Sequence, residues 1–158
     1  MAEGPGASAF VALGSNLGDR LRHLEQGLAL LEQAGCRLLR LSSVWVTKPE
    51  EFLDQPEFLN QVAELRTPHT PLELLRECLA IEARLGRERQ VPKGPRPLDL
   101  DLLLFGDLVL DHQELQLPHP RLSQRRFVLE PLVEIAPDRV IPGLGQTARQ
   151  LLGSLLIA

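Results

Sequence analysis

The chain has 158 residues, of which 24% are charged and 44% apolar, and it carries a net charge of −4. That length suits one domain spanning 1–158 and folding without a disulfide or structural metal, while the acidic balance argues against a dedicated nucleic-acid binder. No apolar run approaches the ~20 residues that span a bilayer, so no membrane partner is expected.

Cys36 and Cys78 are far apart and form no Cys-x-x-Cys pair, which fits two thiols in a reducing compartment. The start, MAEGPGASAF, lacks a basic stretch followed by an apolar core, so no signal peptide is expected. A cytoplasmic monomer is the resulting expectation.

Residues 7–13 (ASAFVAL) read as a short buried strand, closed by a turn at Gly14-Ser15-Asn16. A helix follows from about Asp19 to Ala34, with Leu21, Leu24, Leu28 and Leu31 at helical spacing and Gly35 as its stop. Residues 37–47 alternate as a second strand, 48–57 form a polar loop with two prolines, and a third strand runs from about Phe58 to Leu65. Thr70-Pro71-Leu72-Glu73 is a helix start: a capping threonine, proline at the first helical position and glutamate three residues after the cap. That helix carries Leu75, Cys78, Leu79, Glu82 and Leu85 and stops at Gly86.

Residues 87–97 hold three prolines and a glycine, which exclude regular structure. Leu98 to Phe105 reads as a strand, turned by Gly106-Asp107 into a short partner at Leu108 to Leu110. A helical stretch from Ser123 to Ile135, interrupted at Pro131, and a last helix from Thr147 to Ile157 complete the chain. The βαββαβ order predicts an α+β, ferredoxin-like core: an antiparallel sheet covered on one face by helices, with extra helices at the C-terminus.

Asp99 and Asp101 are two apart on a strand, so both carboxylates leave one face while Leu98, Leu100 and Leu102 turn to the core. Adjacent like charges repel unless a cation lies between them. Mg²⁺ suits that place, since it takes one or two carboxylates and fills its other positions with water and phosphate. A bare Asp-x-Asp also fits a half-exposed strand with solvated acids. The preceding loop favours the metal, because Arg87, Arg89, Lys93 and Arg96 stand there against a single Glu88 and make a natural polyphosphate clamp, although a solvated basic loop balancing nearby acids has the same composition. Gly14 to Gly18 has neither the P-loop nor the dinucleotide pattern and reads as a structural turn, with Ser15 or Asn16 as candidate ligand contacts. His119, held between Pro118 and Pro120, is placed to donate to a phosphate.

Five collinear segments resemble one family: FVALGSNLGDR (10–20), SSVWVTKP (42–49), DQPEFLNQV (54–62), GPRPLDLDLL (94–103) and LPHPRLSQRRFVLEPLVEIAP (117–137). Together they are similar to 6-hydroxymethyl-7,8-dihydropterin pyrophosphokinase of folate biosynthesis. The resemblance implies an α/β sandwich on a ferredoxin-like core, and transfer of the diphosphoryl unit of ATP to the pterin hydroxymethyl group with release of AMP. It implies that Asp99 and Asp101 hold two Mg²⁺ ions on the ATP phosphates. It also implies that Phe58 and Phe127 sandwich the pterin, that Asn60 bonds its edge, and that Thr47 and Pro49 line the pocket. Glu82, Arg87, Arg89, Arg96, His119 and Arg125 match ATP-contacting positions; separately, closure of the loop is expected to bring Arg87 and Arg89 to the reacting phosphates. Pro92, Lys93 and the pair Glu50-Glu51 depart from the family pattern.

Two other classes stay open on the residues alone: another Asp-x-Asp metal-dependent nucleotidyl- or glycosyltransferase, and a ferredoxin-like module that binds without turnover. Composition further predicts that the loop from Arg87 to Pro97 stands open without ligand and closes over the nucleotide, because its cations repel one another until phosphate is present.

Overall fold

A computed structural model of the protein describes residues 6–48, 56–86 and 97–157. Strand β1 (Ala7–Ser15) leads into helix α1 (Arg20–Gln33), whose start is capped by the Asp19 carboxylate accepting from the Arg22 amide. Strands β2 (Arg37–Leu41), β3 (Trp45–Thr47) and β4 (Phe58–Thr67) come next, then helix α2 (Pro71–Arg84) and strand β5 (Asp99–Phe105). Beyond them lie the short pair β6 (Leu110–Asp111) and β7 (Gln116–Leu117), helix α3 (Arg126–Ile135), the short pair β8 (Val140–Ile141) and β9 (Gln146–Thr147), and helix α4 (Ala148–Ile157). The start of α2 is a complete capping box. Thr70 Oγ1 accepts from the Glu73 amide, and the Glu73 carboxylate accepts from the Thr70 amide at 2.8 Å. Such a cap contributes about 1 kcal/mol.

The main sheet is antiparallel throughout, in the order β2-β4-β1-β5, with β3 also paired to β4. Omitting β3, that is the strand order of a ferredoxin-like βαββαβ unit. Ala9, Val11 and Leu13 of β1 pack with Leu24 and Leu31 of α1 and with Leu74, Cys78 and Ile81 of α2. Phe10 turns the other way, with Val62, Leu103 and Leu104, against Val128, Leu129 and Leu132 of α3 and Leu151 of α4. Helices therefore cover both faces of the sheet, not one, because β1, β4 and β5 carry apolar residues on both sides.

Further differences from the sequence-based expectations have local causes. The strand predicted over 37–47 breaks after Leu41, where Ser42 Oγ accepts the Val62 amide while the Ser42 amide donates to Val62 O. The Gln61 side chain donates to Ser42 O, so side-chain bonds interrupt the regular ladder and the chain restarts as β3. The register of β5 on β1 slips beside Phe10 and Val11, which leaves Leu103 as an extra residue and turns both Leu103 and Leu104 towards α3 and α4. Leu108 lies in a tight turn, its amide bonded to Phe105 O, and Leu110–Asp111 pair with β7 instead of β5. Pro131 does not interrupt α3: it costs one backbone bond, while Val128, Leu129 and Leu132, all buried, hold the helix to the sheet. No helix among the described residues is long and apolar enough to cross a membrane.

Candidate active site

The period-two geometry of β5 holds where it matters for chemistry. Leu98, Leu100 and Leu102 are buried against α1 and α2, whereas Asp99 and Asp101 lie partly exposed on the opposite face. Asp99 stands opposite Gly14 of β1, and on its other side Gly14 stands opposite Asn60 of β4. Gly14 belongs to β1 itself and not to a closing turn. A Cβ there would lie 3.1 Å from Asn60 Oδ1, 3.6 Å from Phe58 Cδ1 and 3.9 Å from Asp99 Cβ. The missing side chain thus keeps a shallow floor open between an amide, an aromatic ring and a carboxylate.

Asn60 donates through Nδ2 to Thr47 Oγ1 at 2.5 Å, which turns Oδ1 towards Gly14. Thr47 is the partner of Phe58 across the β3–β4 ladder, and Trp45 is the partner of Asn60. Directly opposed residues share a sheet face, so Trp45, Thr47, Phe58, Asn60, Asp99 and Asp101 all face the side of α3. From that side come Arg125 and Phe127. The Arg125 guanidinium carbon lies 5.5 Å from the Phe127 ring centroid, and its Nη1 lies 3.8 Å from Asp101 Oδ2. With the Asp101 side chain 40% exposed, that ion pair is weak enough for a phosphate to compete with it.

Glu82 of α2 is 5% exposed, and its Oε2 accepts from the Leu100 amide at 2.7 Å. Strand β5 lies at the edge of the main sheet, so the Leu100 amide, between the two aspartates, takes its acceptor from a helix. His119 is neutral at pH 7: burial and then the charges of Arg125 and Arg121 push its pKa down to about 4. Its Nδ1 accepts from the Arg121 amide at 3.1 Å, and its own amide donates to Leu103 O at 2.9 Å. The ring proton therefore resides on Nε2, making His119 a donor.

The fold thus gathers Thr47, Phe58, Asn60, Asp99, Asp101, Arg125 and Phe127 on one face, with Glu82 bonded to the strand that carries the aspartates. Pro49, Arg87, Arg89 and Arg96 lie outside the described residues, as does the loop expected to close over the nucleotide, Pro97 apart. Ser15 and Asn16 are fully buried at the end of β1, where Asn16 Nδ2 donates to Pro56 O at 3.3 Å. Sequence reasoning missed Gly14 as the floor and Glu134 as a neighbour of the site. For Glu134 the one available signal was its spacing of seven from Phe127. Among the described residues no three His, Cys, Asp or Glu side chains converge to hold a metal. Two carboxylates on one strand face are a donor set for Mg²⁺, completed by water and phosphate oxygens, and do not suit a closed zinc site.

The profile of the family 7,8-dihydro-6-hydroxymethylpterin-pyrophosphokinase (HPPK) matches residues 10–137. The 2-amino-4-hydroxy-6-hydroxymethyldihydropteridine pyrophosphokinase of Bacillus subtilis is 47% identical over 128 residues, covering 80% of this chain and 77% of that protein. Its counterpart in Synechocystis is 44% identical over 145 residues, with 91% and 74% covered. The folic acid synthesis protein fol1 of Schizosaccharomyces pombe is 39% identical over 148 residues, but this chain spans only 20% of its length. A Plasmodium falciparum HPPK-DHPS crystal structure shares the fold at a TM-score of 0.76 and 15% identity, over 96% of this chain and 46% of that one. The chain belongs to the 7,8-dihydro-6-hydroxymethylpterin-pyrophosphokinase family of enzymes.

Proposed function

We propose that the protein transfers the diphosphoryl group of ATP to the hydroxymethyl oxygen of 6-hydroxymethyl-7,8-dihydropterin and releases AMP. The observation that carries this reading is the meeting, across Gly14, of an amide-and-ring pocket with a pair of carboxylates. A flat heteroaromatic ring edged with N–H groups fits between Phe58 and Phe127. There Asn60 Oδ1, oriented by the bond from Nδ2 to Thr47, accepts from the ring edge. Pro49 is assigned to the same pocket by likeness to the family.

Asp99 and Asp101 would hold Mg²⁺, two ions in the full reading, which supplies charge neutralisation on the ATP phosphates. Arg125, paired to Asp101, and the Nε2–H of His119 are assigned to the same phosphates as a cation and a neutral donor. Arg87, Arg89 and Arg96 are assigned to neutralise the remaining charge, and Glu82 supports the metal-binding strand from behind. The hydroxymethyl oxygen attacks the β-phosphorus, the bond to the bridging oxygen of the α-phosphate breaks, and AMP leaves with that oxygen. The hydroxyl proton departs to solvent. Positioning and charge neutralisation carry such a transfer, and no side chain is assigned as a general base.

The test is product analysis by ³¹P NMR and chromatography after incubation with Mg-ATP and 6-hydroxymethyl-7,8-dihydropterin. AMP and a diphosphorylated pterin in equal amounts are expected. Pyrophosphate or a nucleoside diphosphate as the released product would overturn the assignment in favour of another Asp-x-Asp transferase, and binding without turnover would leave only a ligand-binding module.

A further inference from the structure

Strand β3 is three residues long and, among the described residues, pairs with β4 alone, with Val46 60% exposed. A strand this short has little hold of its own, yet it carries Thr47, which orients Asn60. Its second attachment is one carboxylate on α3. Glu134 Oε2 accepts from the Ser43 amide at 3.0 Å, and Oε1 accepts both from Ser43 Oγ at 2.8 Å and from Trp45 Nε1 at 2.8 Å. Partial desolvation alone would raise the Glu134 pKa, but the donors from Ser43 and Trp45 outweigh it and pull it below the usual carboxylate range. The bond from Arg40 Nη1 to Ile135 O, at 2.5 Å, fastens β2 to the same end of the helix.

Glu134 follows Phe127 by seven residues, two helical turns, so the two side chains share one face of α3 about 10.5 Å apart along its axis. Pro131, between them, withdraws the helical donor from the Phe127 carbonyl and weakens the first turn's hold on itself. The helix that brings Phe127 to the site is thus fastened at its far end to the segment that brings Thr47.

We infer that Glu134 is a positioning residue for the acceptor pocket: by tying Ser43 and Trp45 to α3 it sets the spacing between Phe127 and the Thr47–Asn60–Phe58 wall. It acts on pterin affinity without touching the ligand. The inference rests on the pterin pocket proposed above. Glu134→Ala removes both acceptor oxygens and with them all three hydrogen bonds. Glu134→Gln keeps an oxygen for Ser43 Oγ and Trp45 Nε1 but turns an NH₂ against the Ser43 amide. Ser43→Ala removes one donor and leaves the backbone bond.

The experiment measures pterin and ATP dissociation constants, KM and kcat, and thermal midpoint for the three variants, with Asn60→Ala and Phe127→Ala alongside. Glu134→Ala should weaken pterin binding by roughly fivefold, with Glu134→Gln and Ser43→Ala between it and wild type. ATP affinity, and kcat at saturating pterin, should stay within about twofold. A lowered thermal midpoint with unchanged pterin affinity, or equal loss of both ligands, would show a merely structural role and overturn the inference. If Glu134→Ala does not fold, the other two variants carry the comparison. Should Asn60→Ala and Phe127→Ala weaken pterin binding while the Glu134 and Ser43 variants do not, the positioning role alone fails. Should Asn60→Ala and Phe127→Ala also leave pterin affinity unchanged, the pocket assignment fails with it.

Discussion

Replacing Gly14 by alanine puts one methyl group between Asn60, Phe58 and Asp99, at the junction of the proposed pterin pocket and the strand proposed to hold the metal. The backbone at Gly14 is not in the left-handed region, so alanine is conformationally tolerated, and restricting the unfolded chain stabilises the fold by about 0.4–1 kcal/mol. Against that, the new Cβ would lie 3.1 Å from Asn60 Oδ1, and the amide must retreat by a few tenths of an ångström. These terms nearly cancel, so the thermal midpoint should move by no more than about 2–4 °C. Ligand binding has no such compensation. If Asn60 loses its bond to the ring edge and leaves a buried polar group unpaired, the cost is about 1–3 kcal/mol, roughly 5- to 150-fold in affinity. Trp45, the single tryptophan of the chain, stands opposite Asn60 in the β3–β4 ladder and provides a fluorescence reporter for the titration. Wild-type pterin affinity in a folded Gly14→Ala protein would refute the placement of the ring over this floor.

Asp101→Ala should lower turnover by orders of magnitude at saturating Mg²⁺; near-normal turnover would sink the metal assignment. Without metal its thermal midpoint should hold, since relief of repulsion with Asp99 offsets the weak pair with Arg125 at 3.8 Å. Glu82→Ala leaves the Leu100 amide without its acceptor and should cost about 1–3 kcal/mol of stability, read by denaturant unfolding, whereas an unchanged midpoint would show that the bond contributes nothing. His119 should remain neutral, with its proton on Nε2, from pH 8 down to pH 5 by imidazole NMR, because its folded pKa of about 4 lies below the ordinary 6.5. In stability terms it is neutral in both states above pH 6.5, and as pH falls from 6.5 towards 4 the unfolded chain takes up the proton first, which destabilises the fold. A midpoint near 6.5 in the folded protein would contradict the burial argument.

Much of this protein is written in short windows of sequence. The capping box at Thr70 and Glu73, the shared face of Asp99 and Asp101, and the strand and helix order behind the ferredoxin-like core follow from turn chemistry and from periods of two and 3.6 residues. Both act over a few neighbouring positions. The same windows carry the motifs by which Phe58, Asn60, His119 and Phe127 were picked out. What they do not carry is any relation that depends on register between distant strands. That Asn60, Gly14 and Asp99 stand side by side follows from how β4 and β5 pair with the two edges of β1, a property of the whole sheet. The extra residue at Leu103 depends on how β5 settles against β1, and period-two reading passes over it. The break at Ser42 arises because its hydroxyl finds the Val62 amide, twenty residues away. Glu134 reads in sequence as one more charge on a surface helix, and it acquires a role because the packing of α3 on the sheet brings it to Ser43 and Trp45. Local chemistry selects the elements and the reactive side chains, whereas the distances between those side chains belong to contacts that close only when the sheet and its two helical layers assemble.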